Sequence, residues 1–114
     1  MKKEIIKSLT TNFESHSNKT ESGVEFWLAR DLQHLLTYTE WRNFLKVINK
    51  AKTACELSGH KIGDHFVDIN KMVSIGSGTE REIKDMMLTR FACYLIAQNG
   101  DPKKEHLPVP LKFC

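Results

Sequence analysis

At 114 residues the chain has room for one domain, and 40% hydrophobic with 27% charged residues is the balance of an ordinary soluble globule. A net charge of +3 permits a nucleic-acid partner without demanding one, so the placement of the cations matters more than their sum. Cys55, Cys93 and Cys114 lack CxxC spacing, the start MKKEIIKSLTTNF is no signal peptide, and no apolar run approaches the ~20 residues that cross a membrane; the sequence points to reduced thiols in a cytoplasmic protein.

Ile5, Ile6, Leu9 and Phe13 are spaced for a short amphipathic helix. Residues 14–23 are polar and read as a loop with Ser22-Gly23 as its turn, so 1–23 form a helix-and-loop lead-in. A short apolar strand over 24–28 precedes a core helix over 29–36, with Leu32, Leu35 and Leu36 on one side. Thr37-Tyr38-Thr39 breaks that helix. Thr39 offers an N-cap to the next one, and Glu40 suits its positive end. The second helix runs to about Ser58 and stops at Gly59. Trp41, Phe44, Leu45, Ile48, Ala51 and Cys55 form its apolar face. Arg42, Lys46 and Lys50 recur every four residues on another face, flanked by Asn43 and Lys52. Two helices joined by three residues resemble a helix-turn-helix corner.

Residues 60–64 read as a connection, 66–75 mostly as strand, Gly76-Ser77-Gly78 as a turn and 82–88 as a returning strand. Thr79-x-x-Glu82 also fits a capping box, and Ile83, Met86, Met87, Phe91, Tyr94 and Leu95 fit a helical period, so one long helix over 80–98 is the alternative. Strand followed by helix is favoured because Thr89 stands where a new N-cap is expected. Residues 91–97 carry no charge, which marks a buried helix, and Phe91, Leu95 and Ile96 are assigned to packing. Gly100 fits the left-handed position that ends a helix, and Pro102 prevents a restart. The tail over 105–114, with two prolines in HLPVPLKFC, reads as extended. The expected fold is a single α+β domain, with three or four helices and a helix-turn-helix-like corner packed on a small antiparallel β-hairpin.

Among the constellations, the stripe Arg42, Lys46, Lys50 is the best functional signal, because cations one helical turn apart can follow a phosphate backbone or enter a groove. Its competitor is a solvated helix face. Arg81, beside the glycine turn, is either a hairpin-tip contact or an exposed loop charge, and Arg90 either pairs with Asp85 or meets a polyanion. Cys55, His60 and His65, spaced C-x4-H-x4-H with Asp64 nearby, fall short of the four ligands of structural zinc, so no metal is expected. Cys93 lies in the all-apolar run, where a thiolate is disfavoured, and Gly76-Ser77-Gly78 lacks the context of a phosphate loop. Neither an enzyme nor a cofactor is expected.

The stretch LTRFACYLIAQNGDPKK resembles the signature of the DNA-damage-inducible protein D family, which carries the BRO N-terminal domain and is related to phage antirepressors. EFWLARDLQHLL, YTEWRNF, AKTACELSGH, DHF and KMVSIGSG agree in order and spacing, which places the BRO-N-like domain at 24–104. The resemblance implies strand before helix over 80–98. It also implies a DNA-binding module that contacts mainly phosphates, with Arg30, Tyr38, Arg42, Lys46, Lys50, Lys52 and Arg81 as candidate contacts. Arg30 could instead pair with Glu40 or Asp31. Further implications are induction in the DNA-damage (SOS) response and, for the D protein, modulation of a strand-exchange recombinase. The family's long second half has no counterpart here, and the chain reads as the N-terminal domain alone. The alternative function is a protein-interaction module that forms a homodimer, or docks on a recombinase or repressor, without binding DNA itself. An exposed apolar patch around Trp27, Trp41 and Phe113 would favour that alternative, whereas a continuous basic face would favour DNA.

Overall fold

The structure, a computed structural model, describes residues 12–100. Of the helix expected over 1–13 only residues 12 and 13 are described, and both are helical; the rest of it and the extended tail lie outside the described residues. In chain order the elements are β1 (Asn18–Lys19), β2 (Glu25–Leu28), α1 (Ala29–Leu35), α2 (Trp41–Leu57), α3 (Ile62–His65), β3 (Phe66–Ser74), β4 (Glu80–Leu88) and α4 (Arg90–Gln98). The class is α+β. The strands form one four-stranded sheet in the order β1-β2-β4-β3, and every pairing is antiparallel.

Over 80–98 the chain is strand then helix. Residues 80–88 pair with β3 from Phe66↔Leu88 to Ser74↔Glu80, which a helix over the same residues could not do. Thr89 then caps α4, its side chain accepting from the Ala92 N–H at 3.2 Å.

Four local expectations need correction. The polar lead-in is not all loop: residues 12–15 are helical, and β1 pairs with β2 through Asn18↔Phe26 and Lys19↔Glu25. A strand of two exposed residues has no alternating pattern to betray it. The N-cap of α2 is Glu40, without a side-chain cap bond, and not Thr39. The chain reverses at Thr37, whose φ is 63°, and the helix then starts one residue later than the cap pattern suggests. The 60–64 connection ends in the single turn α3. Finally, Gly100 does not adopt the left-handed conformation; Asn99 is the C-cap of α4. Space favours glycine there, because a Cβ would stand 3.1 Å from the Tyr38 hydroxyl oxygen and the ring would have to shift to admit it.

The core lies between the helices and one face of the sheet. Trp27, Phe13, Phe44, Leu32, Ile48, Leu88 and Ile96 are fully buried in it. Phe13 and Trp27 stack with centroids 4.4 Å apart, and the Trp27 indole N–H donates to the Phe13 carbonyl at 2.7 Å. Trp27 therefore belongs to the core and not to a surface patch, Trp41 is half-buried, and Phe113 lies outside the described residues. Phe91 and Leu95 are half-buried against the core, while Ile96 is in it.

Two buried charges join the elements. Asp85 accepts from the Met86 N–H at 2.8 Å and from the Arg30 N–H at 3.1 Å, so a carboxylate from β4 caps the start of α1. Lys71 reaches the same carboxylate at 3.3 Å. Arg90 pairs with Glu14 at 2.7 Å and Glu25 at 2.8 Å and lies 5.0 Å over the Trp27 ring. Of the two expectations for Arg90, its ion pairs are with Glu14 and Glu25 and not with Asp85, and its burial leaves it little surface for a polyanion; the hydrogen bond to Glu14 is the first cause that raises its pKa.

Candidate nucleic-acid interface

From Trp41 to Cys55 the chain carries Arg42, Lys46, Lys50 and Lys52 but no aspartate or glutamate. In a helix each residue turns the direction by about 100°, so positions four apart drift by only about 40°. Arg42, Lys46 and Lys50 are accordingly all exposed on one side of α2, opposite the buried Phe44, Ile48, Ala51 and Cys55. Asn43, Asn49 and Thr53 are exposed beside them. Asn49 was missed in the sequence reading. Its distance of three from Lys46 and seven from Arg42 was the signal that could have found it. Lys52 lies about 200° around the helix from Lys50 and is half-buried, so the structure does not bring it to this face.

The Lys46–Lys50 side of the stripe borders a concavity of about 330 Å³ between α2 and the end of α4, lined by Tyr38, Asn43, Lys46, Lys50, Asn99 and Gly100. The end of a helix carries partial negative charge on its last carbonyls. The Asn99 side-chain amide donates to one of them, that of Leu95, at 2.8 Å. Lys46 and Lys50, both exposed, stand on the other side of this concavity. Arg42 stands 3.6 Å from Glu40, with the two side chains 82% and 57% exposed, a loose pair that water screens.

The other candidates are used differently. Arg30 pairs with neither Glu40 nor Asp31: its Nε donates to the Lys84 carbonyl at 2.9 Å, and its guanidinium lies 4.2 Å over the Trp41 ring. It braces the corner between α1 and α2 against the sheet. The Tyr38 ring is buried, tilted against Phe44 with centroids 5.2 Å apart. Arg81 is exposed on the free-standing end of the β3–β4 hairpin, opposite Val73, far along the strand from the Asp85 anchor.

The sequence profile of the BRO family N-terminal domain matches residues 16–107. The chain belongs to this family. DNA damage-inducible protein D of Escherichia coli (strain K12) is 55% identical over 83 residues, which cover 73% of this chain and 30% of that protein. The chain thus spans under a third of the length of this curated relative. No solved structure matches it.

Elsewhere in this BRO-N domain, Cys55 and Cys93 are buried, and His60 and His65 pack against an aromatic ring. Burial pushes the Cys93 thiol far above its usual range and raises that of Cys55 as well. Neither favours the thiolate that a nucleophile or a metal ligand requires. His60 and His65 flank Phe91, with ring centroids 4.6 Å and 4.9 Å from it. Among the described residues no group of three or more His, Cys, Asp or Glu side chains converges on a point. No helix among them is long and apolar enough to cross a membrane.

Proposed function

We propose that this BRO-N domain is a DNA-binding module of a regulator, without enzymatic activity, that contacts mainly phosphates through the exposed side of α2. The observation that carries the reading is the exposed face on which Arg42, Lys46 and Lys50 stand with Asn43, Asn49 and Thr53, with carboxylates only at its two ends, Glu40 beside Arg42 and Asn43 and Glu56 in the last turn. Lysine and arginine supply phosphate neutralisation, which dominates affinity, and asparagine can read an adenine edge if the helix enters a groove. Arg81 at the hairpin end is a second, peripheral contact. Lys52, turned away, and Tyr38, buried, contribute through packing. Membership of the BRO family and the kinship to a protein named for DNA damage support a role in the DNA-damage (SOS) response, in the cytoplasm. A recombinase or a repressor is then the protein partner to test, and no metal or cofactor is called for.

The test is a titration of the domain against single- and double-stranded DNA across a salt series. Each neutralised phosphate contributes roughly −0.9 to the log–log slope on duplex, so three to five contacts give about −3 to −4.5. A flat salt response, or no binding at low salt, refutes the DNA reading and leaves protein interaction in its place.

A further inference from the structure

β3 is the outermost strand of the sheet, nine residues long and paired without interruption to β4. Among the described residues no strand lies along its other side. Long open edges invite pairing, and proteins blunt them with prolines, bulges or many charges. β3 has neither proline nor bulge, and its only charged residues are Asp68 and Lys71. Val67, Met72 and Ile75, on the strand or directly after it, are 44%, 57% and 57% exposed.

The hydrogen bonds give the orientation of the open edge. The Ile75 N–H donates to the Thr79 carbonyl at 3.0 Å, and the Thr89 N–H donates to the His65 carbonyl at 3.1 Å. Odd-numbered positions therefore turn their backbone groups toward β4, and even-numbered ones turn theirs outward. Asn70, the middle residue of the strand, presents both its N–H and its carbonyl to the open edge.

We infer that β3 pairs antiparallel with the β3 of a second copy across a two-fold axis at Asn70, joining two sheets into one. A two-fold axis perpendicular to a sheet keeps each side chain on its own face, so it must pass through a residue position. Centred on Asn70, the pairing uses the whole strand: Phe66 faces the partner's Ser74, Val67 the partner's Val73, Asp68 the partner's Met72 and Ile69 the partner's Lys71. About ten N–H···O bonds close the edge. Neither Asp68 nor Lys71 meets its own copy. Centring on Lys71 would oppose two ammonium groups, which destabilises a strand pair, and centring on Ile69 would leave Val73 and Ser74 unpaired. The apolar row Leu28–Met87–Val67 crosses β2, β4 and β3 and ends on the exposed Val67. In the Asn70 register the partner's Val73 continues it.

Sedimentation of the domain over a concentration range should show a monomer–dimer equilibrium. Asn70→Pro should abolish the dimer and leave the melting temperature of the monomer unchanged, because the N–H it removes points away from β4. A second variant does not depend on that tolerance. In a Cys114→Ser background, Asn70→Cys should oxidise to a covalent dimer, since opposite hydrogen-bonded residues lie about 5.5 Å apart at Cα, within disulfide reach. Lys71→Cys, whose own copy lies diagonally across the pair, should not. A monomer at every concentration overturns the inference, as does a dimer that Asn70→Pro leaves intact. A monomer whose Asp68, Asn70 and Met72 amides resist hydrogen exchange also overturns it, because the chain's own terminal segments would then cover the edge.

Discussion

Replacing Arg42, Lys46 and Lys50 together by alanine separates phosphate contact from solvated charge. All three side chains are exposed, and the ion pair of Arg42 with Glu40 is loose and open to water. Exposed substitutions of this kind usually change stability by under ~0.5 kcal/mol each. Alanine has the best helix propensity, so it partly offsets any loss. The triple variant should therefore melt within about 1 kcal/mol of the parent, and lost binding could not be attributed to lost structure. If each cation neutralises one phosphate, the salt slope should shrink by about 3 × 0.9, or about 2.7. Near 0.1 M salt that corresponds to roughly 2.7 decades, or ~500-fold, in affinity. Fluorescence anisotropy with a labelled duplex reads both quantities. Lys52→Ala is the internal control: it leaves the net charge one unit lower but the stripe intact, and should change the slope by well under one unit. A triple variant that folds and binds as the parent does refutes the assignment, and so does a Lys52→Ala variant that loses as much as the triple.

Ile96→Ala should cost about 2–5 kcal/mol, the range for a large-to-small change at a fully buried site, and Phe91→Ala less, because that ring is half-buried; equal melts for Ile96→Ala and the parent would remove α4 from the core. Arg90→Met should cost about 2–3 kcal/mol, less than breaking a fully buried pair, because Glu14 and Glu25 keep about a third of their side-chain surface in water; chemical denaturation measures it, and a neutral effect would contradict the clamp. His65 Nδ1 lies 2.6 Å from the Thr89 hydroxyl, which also accepts from the Ala92 N–H. Burial, aided by His60, lowers the His65 pKa below its ordinary 6.5. The unfolded chain then binds the proton more readily, so stability is full above about 6.5 and declines as pH falls toward the lowered value. Melts across that window should fall for the parent and less for His65→Gln; identical profiles would refute the coupling.

Much of this domain is local and could be read from its residues. The α2 helix announces itself by period, ends at a glycine with φ of +87°, and displays its cations every four residues, because helix geometry alone converts that spacing into one face. Thr89 marks the junction of β4 and α4, because a cap is a bond between neighbours in sequence. The positions that escaped are those whose partners lie far along the chain. Asp85 caps α1 across 55 residues, and Arg90 finds Glu14 across 76 and Glu25 across 65. A charged residue's sequence neighbours say nothing of such partners. Gly100 answers to the Tyr38 hydroxyl and not to its own dihedral angles, and Trp27 was hidden by stacking on a phenylalanine from the polar lead-in. Sequence by itself determined the two core helices over 29–36 and 41–58, the helix after Thr89 and the basic face of α2, since those follow from short-range periodicity and capping, whereas strand pairing decided 80–88 and β1. Tertiary structure alone decided which cations remain free for a polyanion and which are consumed in holding the fold, because burial and ion pairing depend on groups that only the folded chain brings together.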